Sequence, residues 1–447
     1  MLQVGFSRVV INPELGADLE GYFIERKTEG YLDNIEANGL ALKSENECLV
    51  ILTLDLCQIW QKFNDIIRRE VSEATGVPFD RLFTNCTHTH TSPIISNADT
   101  VSEDVQKYFP YLIEKLVEAT NKALEDLKPA RVGWKIGTVP NISHCRRWLM
   151  KDGSIKTNPG NGNPDVLREM SPVDERVNVL RFDQEGGYSI IVANYGNHPD
   201  AIGGSKISAD YPGFFRRAFE AAVPNTRCIY WNGAEGDIGF NNVFAKDGDL
   251  NDTFKDFDDV LRGYDHSRFV GESITGAVLQ VFRKVNYFEP QLKVKEMMAD
   301  LPANVPTKEE AIEAHRIHEL HIAGKDSEIP YSGMMLTTVV AEAERMVKLE
   351  HGPYTIPARM MAVSFGPVAV VGISGEPFTG VGLAMKEIEP YKMVMPVCLM
   401  NGTQGYYPMM DSYEEGGYEA RSSYFKAGTA EFVVSEARKL LKETEEG

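Results

Sequence analysis

The sequence lacks paired cysteines and a leader-like start. Its 447 residues include six cysteines that stand singly, without a Cys-x-x-Cys pair. They are Cys48, Cys57, Cys86, Cys145, Cys228 and Cys398. The opening MLQVGFSRVVINPE has no basic segment followed by a long apolar run, so we find no signal peptide. Free thiols and the missing signal together predict a cytoplasmic protein.

Long hydrophobic runs and an excess of positive charge are absent as well. No apolar run approaches the length of a membrane span. The 65 acidic residues outnumber the 46 basic ones, and the net charge is −19 at pH 7. Such a surface repels phosphate backbones and anionic lipid headgroups, so we expect no nucleic-acid partner and no stable membrane association. The expected partner is a small-molecule substrate, and the sequence leaves the oligomeric state open.

Short apolar runs alternate with amphipathic helical patterns. Strands are predicted at 48–56, 81–88, 130–137, 188–196, 227–233, 358–366, 368–375 and 392–401. Helices are predicted at 60–75, 104–127, 212–222, 268–285, 306–324, 335–350 and 427–445. This alternation predicts an α/β protein with a central β-sheet and helices on both faces. A hairpin at Gly366–Pro367 would make the sheet mixed rather than wholly parallel.

No internal repeat, low-complexity tract or Pro/Gly/Ser-rich linker divides the chain. Length alone suggests two or three domains, but the pattern favours one catalytic domain over residues 1–447. Within it, the segment 300–350 is a candidate helical insertion or cap. The acidic stretch 244–259 is interpreted as a solvated surface loop.

Four chemically active residues follow predicted strands. His88 and His90 in THTH follow the run 81–87, His198 follows 188–196, and Glu376 follows 368–375. Ligands gather at the carboxyl ends of strands in open α/β sheets. Two histidines, one carboxylate and an open position suit a catalytic zinc. The two rings of a His-x-His pair on a strand point to the same face, so one can bind metal while the other moves a proton.

Each of these residues also has a purely structural interpretation. A histidine at a strand end can be a turn residue, and Glu376 can cap the following helix. The turn NGAEGDIGFNN at 232–242 either directs backbone N–H groups at a substrate oxygen or is simply a tight turn. His315, His318 and His321 share one face of a helix, which favours an exposed amphipathic helix. The coincidence of three strand ends favours the metal site.

Seven motifs in this order resemble the catalytic domain of the neutral/alkaline (non-lysosomal) ceramidases over nearly the whole chain. They are THTHTSP, RVNVLRFD, YGNHPD, ISADYPGFFRRAFE, NGAEGDIGFNN, GEPFT and GYYPMMDSYEEGGYE. The resemblance implies one Zn²⁺ per chain, held by His88, His198, Glu376 and Tyr406. Tyr407 is the alternative to Tyr406.

The same resemblance implies roles for three further residues around the zinc. His90 would act as a proton shuttle or oxyanion partner. Arg146 would contact the substrate, with Arg147 as the alternative, and Tyr418 would correspond to the second tyrosine near the substrate. These three complete the set of site residues that the sequence predicts.

The sequence also departs from the family pattern at three places. Gly239 in DIGFN stands where the family carries a serine that has been proposed either as the nucleophile or as a contact of the substrate. HTHTSPII replaces a glycine-rich turn, HTHSGPGG, and no C-terminal immunoglobulin-like domain is expected because the chain ends in a charged helix. The missing serine favours a zinc-activated water as the nucleophile.

We therefore predict a zinc-dependent hydrolase of an amide-type C–N bond in a soluble amide or N-acyl compound. A binding protein that keeps the metal pocket with little or no catalysis is the alternative, and Gly239 is its main support. Hydrolysis of an ester or lactone is a second alternative. Phosphate-ester hydrolysis is disfavoured, because the sequence shows no second ligand cluster for a two-metal centre.

Overall fold

The computed structural model describes residues 1–22, 24–96, 98, 101–244 and 263–446. The predicted acidic loop 244–259 therefore lies outside the described residues, apart from Phe244. The described strands form a nine-stranded sheet, a four-stranded sheet and several two- or three-stranded sheets. The order across the large sheet is Thr226–Asn232, Ser189–Tyr195, Arg176–Gln184, Lys128–Thr138, Gln3–Val10, Glu36–Lys43, Cys48–Leu54 and Leu82–Cys86, and Asn286–Phe288 pairs with Lys128–Thr138 outside this order.

The large sheet is mixed. Ser189–Tyr195 runs parallel to Thr226–Asn232, and Cys48–Leu54 runs parallel to Leu82–Cys86. The other described pairs of this sheet are antiparallel. The predicted α/β class with a mixed central sheet is thus confirmed.

A second sheet stacks on the first. Its strands, in spatial order, are Lys293–Pro302, Thr355–Ser364, Val368–Ile373 and Met393–Val397. Thr355–Ser364 and Val368–Ile373 form the predicted hairpin around Gly366–Pro367. A three-stranded sheet has the order Val166–Glu169, Arg147–Met150, Ile155–Thr157. Two-stranded sheets pair Lys206–Ile207 with Gly30–Tyr31, Ile238–Gly239 with His144–Cys145, and Glu376–Pro377 with Tyr406–Tyr407.

Helices cover the outer faces of the two stacked sheets. They span Gln61–Thr75, Glu103–Glu125, Asp210–Ala222, Tyr264–Phe282, Lys308–Ile322, Gly333–Leu349, Thr379–Lys386, Ser412–Glu415, Tyr418–Ser422 and Thr429–Glu446, with 3₁₀ turns at Phe79–Arg81 and Asp326–Glu328. Side chains alternate across each strand: Leu40 and Leu42 pack between the sheets, whereas Ala41 packs against the helices. The layers therefore run helix, sheet, sheet, helix, one sheet more than the sequence indicated.

The large sheet is curled, so that strands from its two ends touch. Thr226–Asn232 stands at one end of the order, and Leu82–Cys86 at the other. The indole Nε1 of Trp231 nevertheless donates a hydrogen bond to Thr53 Oγ1 at 2.9 Å. The Nδ2 of Asn232 donates to the carbonyl of Thr87 at 3.2 Å. Because of this curl, residues that follow strands at opposite ends of the sheet come together.

The candidate insertion at 300–350 contains a helical hairpin, Lys308–Ile322 and Gly333–Leu349. It connects two neighbouring antiparallel strands, Lys293–Pro302 and Thr355–Ser364. Its helices share a small apolar cluster, and Arg345 donates to the carbonyl oxygens of Asn304 and Arg421. Through Arg421 the hairpin is attached to the short helix Tyr418–Ser422.

None of the helices in the described part of the chain is both long enough and apolar enough to cross a membrane.

Candidate metal centre

Three imidazole rings meet at the carboxyl ends of two strands. His88 and His90 follow Leu82–Cys86, and His198 follows Ser189–Tyr195. His88 adopts a φ of 76°, a left-handed conformation that costs a residue with a side chain about 1–2 kcal/mol. Its backbone N–H donates to the Leu56 carbonyl at 2.9 Å. This backbone turn directs the His88 ring away from the strand and toward His198.

The Nε2 atoms of the three rings converge on one point. The Nε2 of His198 lies 3.1 Å from the Nε2 of His88 and 3.1 Å from the Nε2 of His90. The Nε2 atoms of His88 and His90 are 3.2 Å apart. All three side chains are buried, with residue exposures of 3%, 8% and 4% for His88, His90 and His198. His90 thus lies as close to the centre as the two histidines that the resemblance assigns to the metal.

Neighbouring oxygens favour one tautomer for two of these rings. The Nδ1 of His88 lies 2.8 Å from the Cys57 carbonyl oxygen, which accepts from it, so Nε2 of His88 presents a lone pair. The Nδ1 of His198 lies 2.6 Å from Oε2 of Glu235, without the geometry of a hydrogen bond, and the negative charge of this oxygen favours a proton on Nδ1 and a lone pair on Nε2. The Nδ1 of His90 has no hydrogen-bond partner among the described residues, and the nearest carboxylate, Asp200, is 3.7 Å away.

Two buried carboxylates adjoin the histidines. Oε2 of Glu376 lies 3.5 Å from Nε2 of His88 and has no hydrogen-bond partner among the described residues. Glu235 was not among the site residues predicted from the sequence, where only the backbone of its turn was considered. One ligand atom from each of His88, His198, Glu235 and Glu376 lies within 4.8 Å of the others. A glutamate within a Gly-rich turn after a buried strand was the signal that could have identified it.

Burial and neighbouring charges shift the pKa values of these groups. Burial, reinforced by the charges of Arg146 and His88, holds the pKa of His198 well below its usual range. Burial also lowers the pKa of His90 well below that range. The pKa of His88 is raised, because the carboxylates of Glu235 and Glu376 outweigh the effect of burial. Burial raises the pKa of Glu376 to about 7.

The two candidate tyrosines, Tyr406 and Tyr407, have different surroundings. Tyr406 is paired in register with Glu376, and its hydroxyl faces the Glu376 carboxylate. Tyr407 is fully buried, stacks on Phe425 and donates to the Ser374 carbonyl at 2.7 Å. The ring of Tyr418 meets that of Tyr406 edge-on, with centroids 5.8 Å apart. Tyr406 and Tyr418 therefore border the centre, whereas Tyr407 belongs to the core.

The two adjacent arginines also separate. Nη1 of Arg146 lies 3.2 Å from Nδ1 of His198, and Nη2 pairs with Glu419 at 3.3 Å. Arg147 points elsewhere and is fixed by Ser412 Oγ, by Oε2 of Glu415 and by the Gly416 carbonyl, each at 2.9 Å. Arg146 is thus the arginine beside the centre.

The turn 232–242 contributes the Glu235 side chain to the centre, and three of its backbone N–H groups are already bonded to carbonyl oxygens. The N–H groups of Gly233, Gly236 and Ile238 donate to the carbonyl oxygens of Tyr195, Pro377 and Glu235. Asp237 Oδ1 accepts from the N–H and hydroxyl of Thr379, at the start of the helix that Glu376 was considered to cap. That structural interpretation of Glu376 is therefore not supported. A Cβ at Gly239 would lie 3.4 Å from Cγ of Arg146, an ordinary contact distance.

Five further histidines lie away from the centre. His315 pairs with Glu350 and His321 with Asp326 on the helix Lys308–Ile322. His351 is 90% exposed at its side chain, and His266 is buried edge-on against Phe240. The helical triplet His315, His318 and His321 therefore lies on an amphipathic helix away from the centre, with all three side chains half-buried rather than exposed.

The donor set fits a divalent metal ion. Two Nε2 lone pairs 3.1 Å apart repel each other unless a cation lies between them. The Glu376 oxygen without a partner faces the same point, and burial of such a carboxylate is costly unless a cation compensates it. Imidazole nitrogens with carboxylate and phenol oxygens match the ligands of zinc.

A scan against protein-family models finds no match, and a search of curated protein sequences finds none either. Solved structures do match. Neutral ceramidase from Pseudomonas aeruginosa aligns with a TM-score of 0.74 and 18% sequence identity, over 99% of this chain and 74% of that chain. A structure described as ceramidase complexed with C2 aligns with a TM-score of 0.73 and 16% identity, over 99% of this chain and 75% of that chain. The chain therefore has the fold of the neutral ceramidases.

Proposed function

We propose that this protein is a metal-dependent hydrolase of the neutral ceramidase family that cleaves the C–N bond of an amide. His88, His198, Glu376 and Tyr406 would hold one zinc ion per chain. The observation that carries the proposal is the convergence of the His88 and His198 Nε2 atoms, 3.1 Å apart, beside Oε2 of Glu376, an oxygen without a hydrogen-bond partner among the described residues. We further propose that residues 1–447 form a single catalytic domain.

When bound, zinc polarises the scissile carbonyl and activates a water molecule for attack. His90 would accept and return protons, because its Nδ1 has no hydrogen-bond partner among the described residues. Arg146 and Tyr418 border the same space, and their N–H and O–H groups would orient the substrate carbonyl and stabilise its developing negative charge. Burial of the three histidines limits the access of bulk water to this charge.

A soluble amide or N-acyl compound is the proposed substrate class. The net charge of −19 disfavours contact with an anionic lipid surface. Because the similar solved structures are ceramidases, cleavage of an amide is the reaction to test first. Esters and lactones share the carbonyl that such a site would polarise, so they belong in the same substrate panel.

The proposal is tested on protein purified without added metal. We expect about one zinc per chain by plasma mass spectrometry, and hydrolysis of short N-acyl amides that a chelator abolishes and added zinc restores. A zinc-loaded protein that hydrolyses no amide or ester across a broad panel would contradict the proposal. Tight binding of an N-acyl or hydroxamate compound without turnover would instead support a metal-pocket binding protein.

Gly239→Ser tests whether the missing serine limits activity. We expect a folded protein with a melting temperature close to that of the wild type, because the added Cβ meets Arg146 at ordinary contact distance. Amide turnover should change by no more than about threefold, because the proposed attack by water needs no serine. A gain of two orders of magnitude on introducing the serine would show that the native protein is catalytically impaired.

Tyr406→Phe and Tyr407→Phe form a matched pair of variants. Removing the Tyr406 hydroxyl should weaken zinc binding about tenfold or more, because an oxygen ligand is lost. Removing the Tyr407 hydroxyl should leave zinc affinity unchanged and cost about 1 kcal/mol of stability, the value of its hydrogen bond to Ser374. Competition with a chromophoric chelator measures the affinities. Equal zinc affinities for the two variants would exclude Tyr406 as a ligand.

A further inference from the structure

Glu235 is a fully buried carboxylate behind the candidate metal centre. It lies in the turn after the strand Thr226–Asn232 and has no exposed surface. Among the described residues, no N–H or O–H group makes a hydrogen bond of good geometry to either of its oxygens. The thiol of Cys398, a weak donor, is beside it. A buried carboxylate with so few donors is costly, so its position calls for a specific interaction.

That interaction is with the outer nitrogen of His198. Oε2 of Glu235 lies 2.6 Å from Nδ1 of His198, whereas Nε2 of the same ring lies 3.1 Å from the Nε2 atoms of His88 and His90. The two nitrogens of the His198 ring therefore face different partners. Nε2 faces the metal ligands and Nδ1 faces the carboxylate.

Two groups compete for Nδ1 of His198, and they require opposite states of that nitrogen. Arg146 Nη1 is a donor at 3.2 Å and would need a lone pair on Nδ1. Glu235 is an acceptor at 2.6 Å and needs a proton there. A lone pair facing an anionic oxygen at the shorter distance would be strongly repelled. The shorter contact therefore decides the tautomer, which leaves Nη1 of Arg146 to serve the substrate while its Nη2 stays paired with Glu419.

We propose that Glu235 is a positioning residue for His198: its anionic oxygen, 2.6 Å from Nδ1, keeps the ring proton on that nitrogen and so holds the Nε2 lone pair toward the metal. The inference rests on the proposed metal site. Outer carboxylates of this kind fix the ring orientation of a metal-binding histidine and raise its basicity. Loss of such a partner lowers metal affinity about 10–100-fold.

Three variants test this role. Glu235→Gln keeps the size and an acceptor oxygen but loses the charge, and Glu235→Ala removes the contact. Asp183→Asn is the control, because it removes a largely buried carboxylate that contacts Arg181 and Ser189, and Ser189 begins the strand whose carboxyl end leads to His198. Zinc affinity is measured by chelator competition, and folding by circular dichroism. We expect about tenfold weaker zinc binding for Gln, about 100-fold weaker for Ala, and wild-type affinity for the control.

A second measurement needs no metal. In metal-free protein with labelled histidine, the ring-nitrogen signal of His198 should show the proton on Nδ1 and none on Nε2, and this signal should change toward the Nε2–H form in Glu235→Gln. Folded Glu235 variants that bind zinc with wild-type affinity would overturn the positioning role, as would a wild-type spectrum without the signal. A wild-type protein that shows the signal but binds no zinc would support the Glu235 contact and overturn the hydrolase proposal.

Discussion

The His198→Ala variant should contain no stoichiometric zinc and should lose amide hydrolysis by about 10³-fold or more. The ring supplies one of the two Nε2 atoms that lie 3.1 Å apart at the centre, and its loss leaves His88, Glu376 and Tyr406 as an incomplete ligand set. Metal polarisation contributes several kcal/mol to such reactions, which corresponds to the expected rate loss. Plasma mass spectrometry and initial rates on the same preparations measure both effects.

His321→Ala is the matched control for this substitution. His321 pairs with Asp326 on a helix away from the centre, so its removal should change neither the zinc content nor the rate. Zinc retained at about one equivalent in folded His198→Ala would exclude this histidine as a ligand. His88 and His90 would then have to be the histidines that hold the metal.

Substitution of the two neighbouring arginines should produce opposite phenotypes. Arg146→Lys should lower kcat/KM about 100-fold with little change in stability, because lysine keeps the charge but loses the planar donor geometry beside His198. Arg147→Ala should lower the free energy of unfolding by about 3–5 kcal/mol, because it leaves the partly buried Glu415 without its partner. Steady-state kinetics and denaturant unfolding measure the two effects.

Stability also serves as the control for the kinetic effect. Arg147 contacts Ser412, Glu415 and Gly416, which precede Tyr418 in the chain. If Arg147→Ala lowers the rate, we therefore expect the rate to fall together with the free energy of unfolding. An Arg146→Lys variant with wild-type kcat/KM would remove Arg146 from the proposed machinery. A large stability loss in Arg146→Lys would indicate that its pair with Glu419 is mainly structural.

Much of the fold followed from local sequence patterns. Every predicted strand and helix lies on an observed one, because buried β-branched runs and amphipathic periodicity report the burial of each segment. The stacking of a second sheet did not follow. A strand buried on both faces has the same apolar composition whether helices or another sheet cover it, as the neighbours of Leu40 and Ala41 illustrate.

Neighbouring residues of the same type were the harder problem in the candidate site. The resemblance left Tyr406 beside Tyr407 and Arg146 beside Arg147 as alternatives, because adjacent residues share composition and spacing. Strand geometry sends neighbours to opposite faces, so one tyrosine faces Glu376 and the other joins the core. Glu235 was missed for a related reason, since the sequence does not show which turn side chains point inward.

The sequence by itself determined that histidines and a glutamate follow separate buried strands, because strand periodicity and chain order are local properties. Only the tertiary structure decided that these residues meet. His88 follows a strand at one end of the large sheet, and Glu235 follows the strand at the other end. The curl that joins these ends, through contacts such as Trp231 with Thr53, depends on the packing of the whole sheet around the second one.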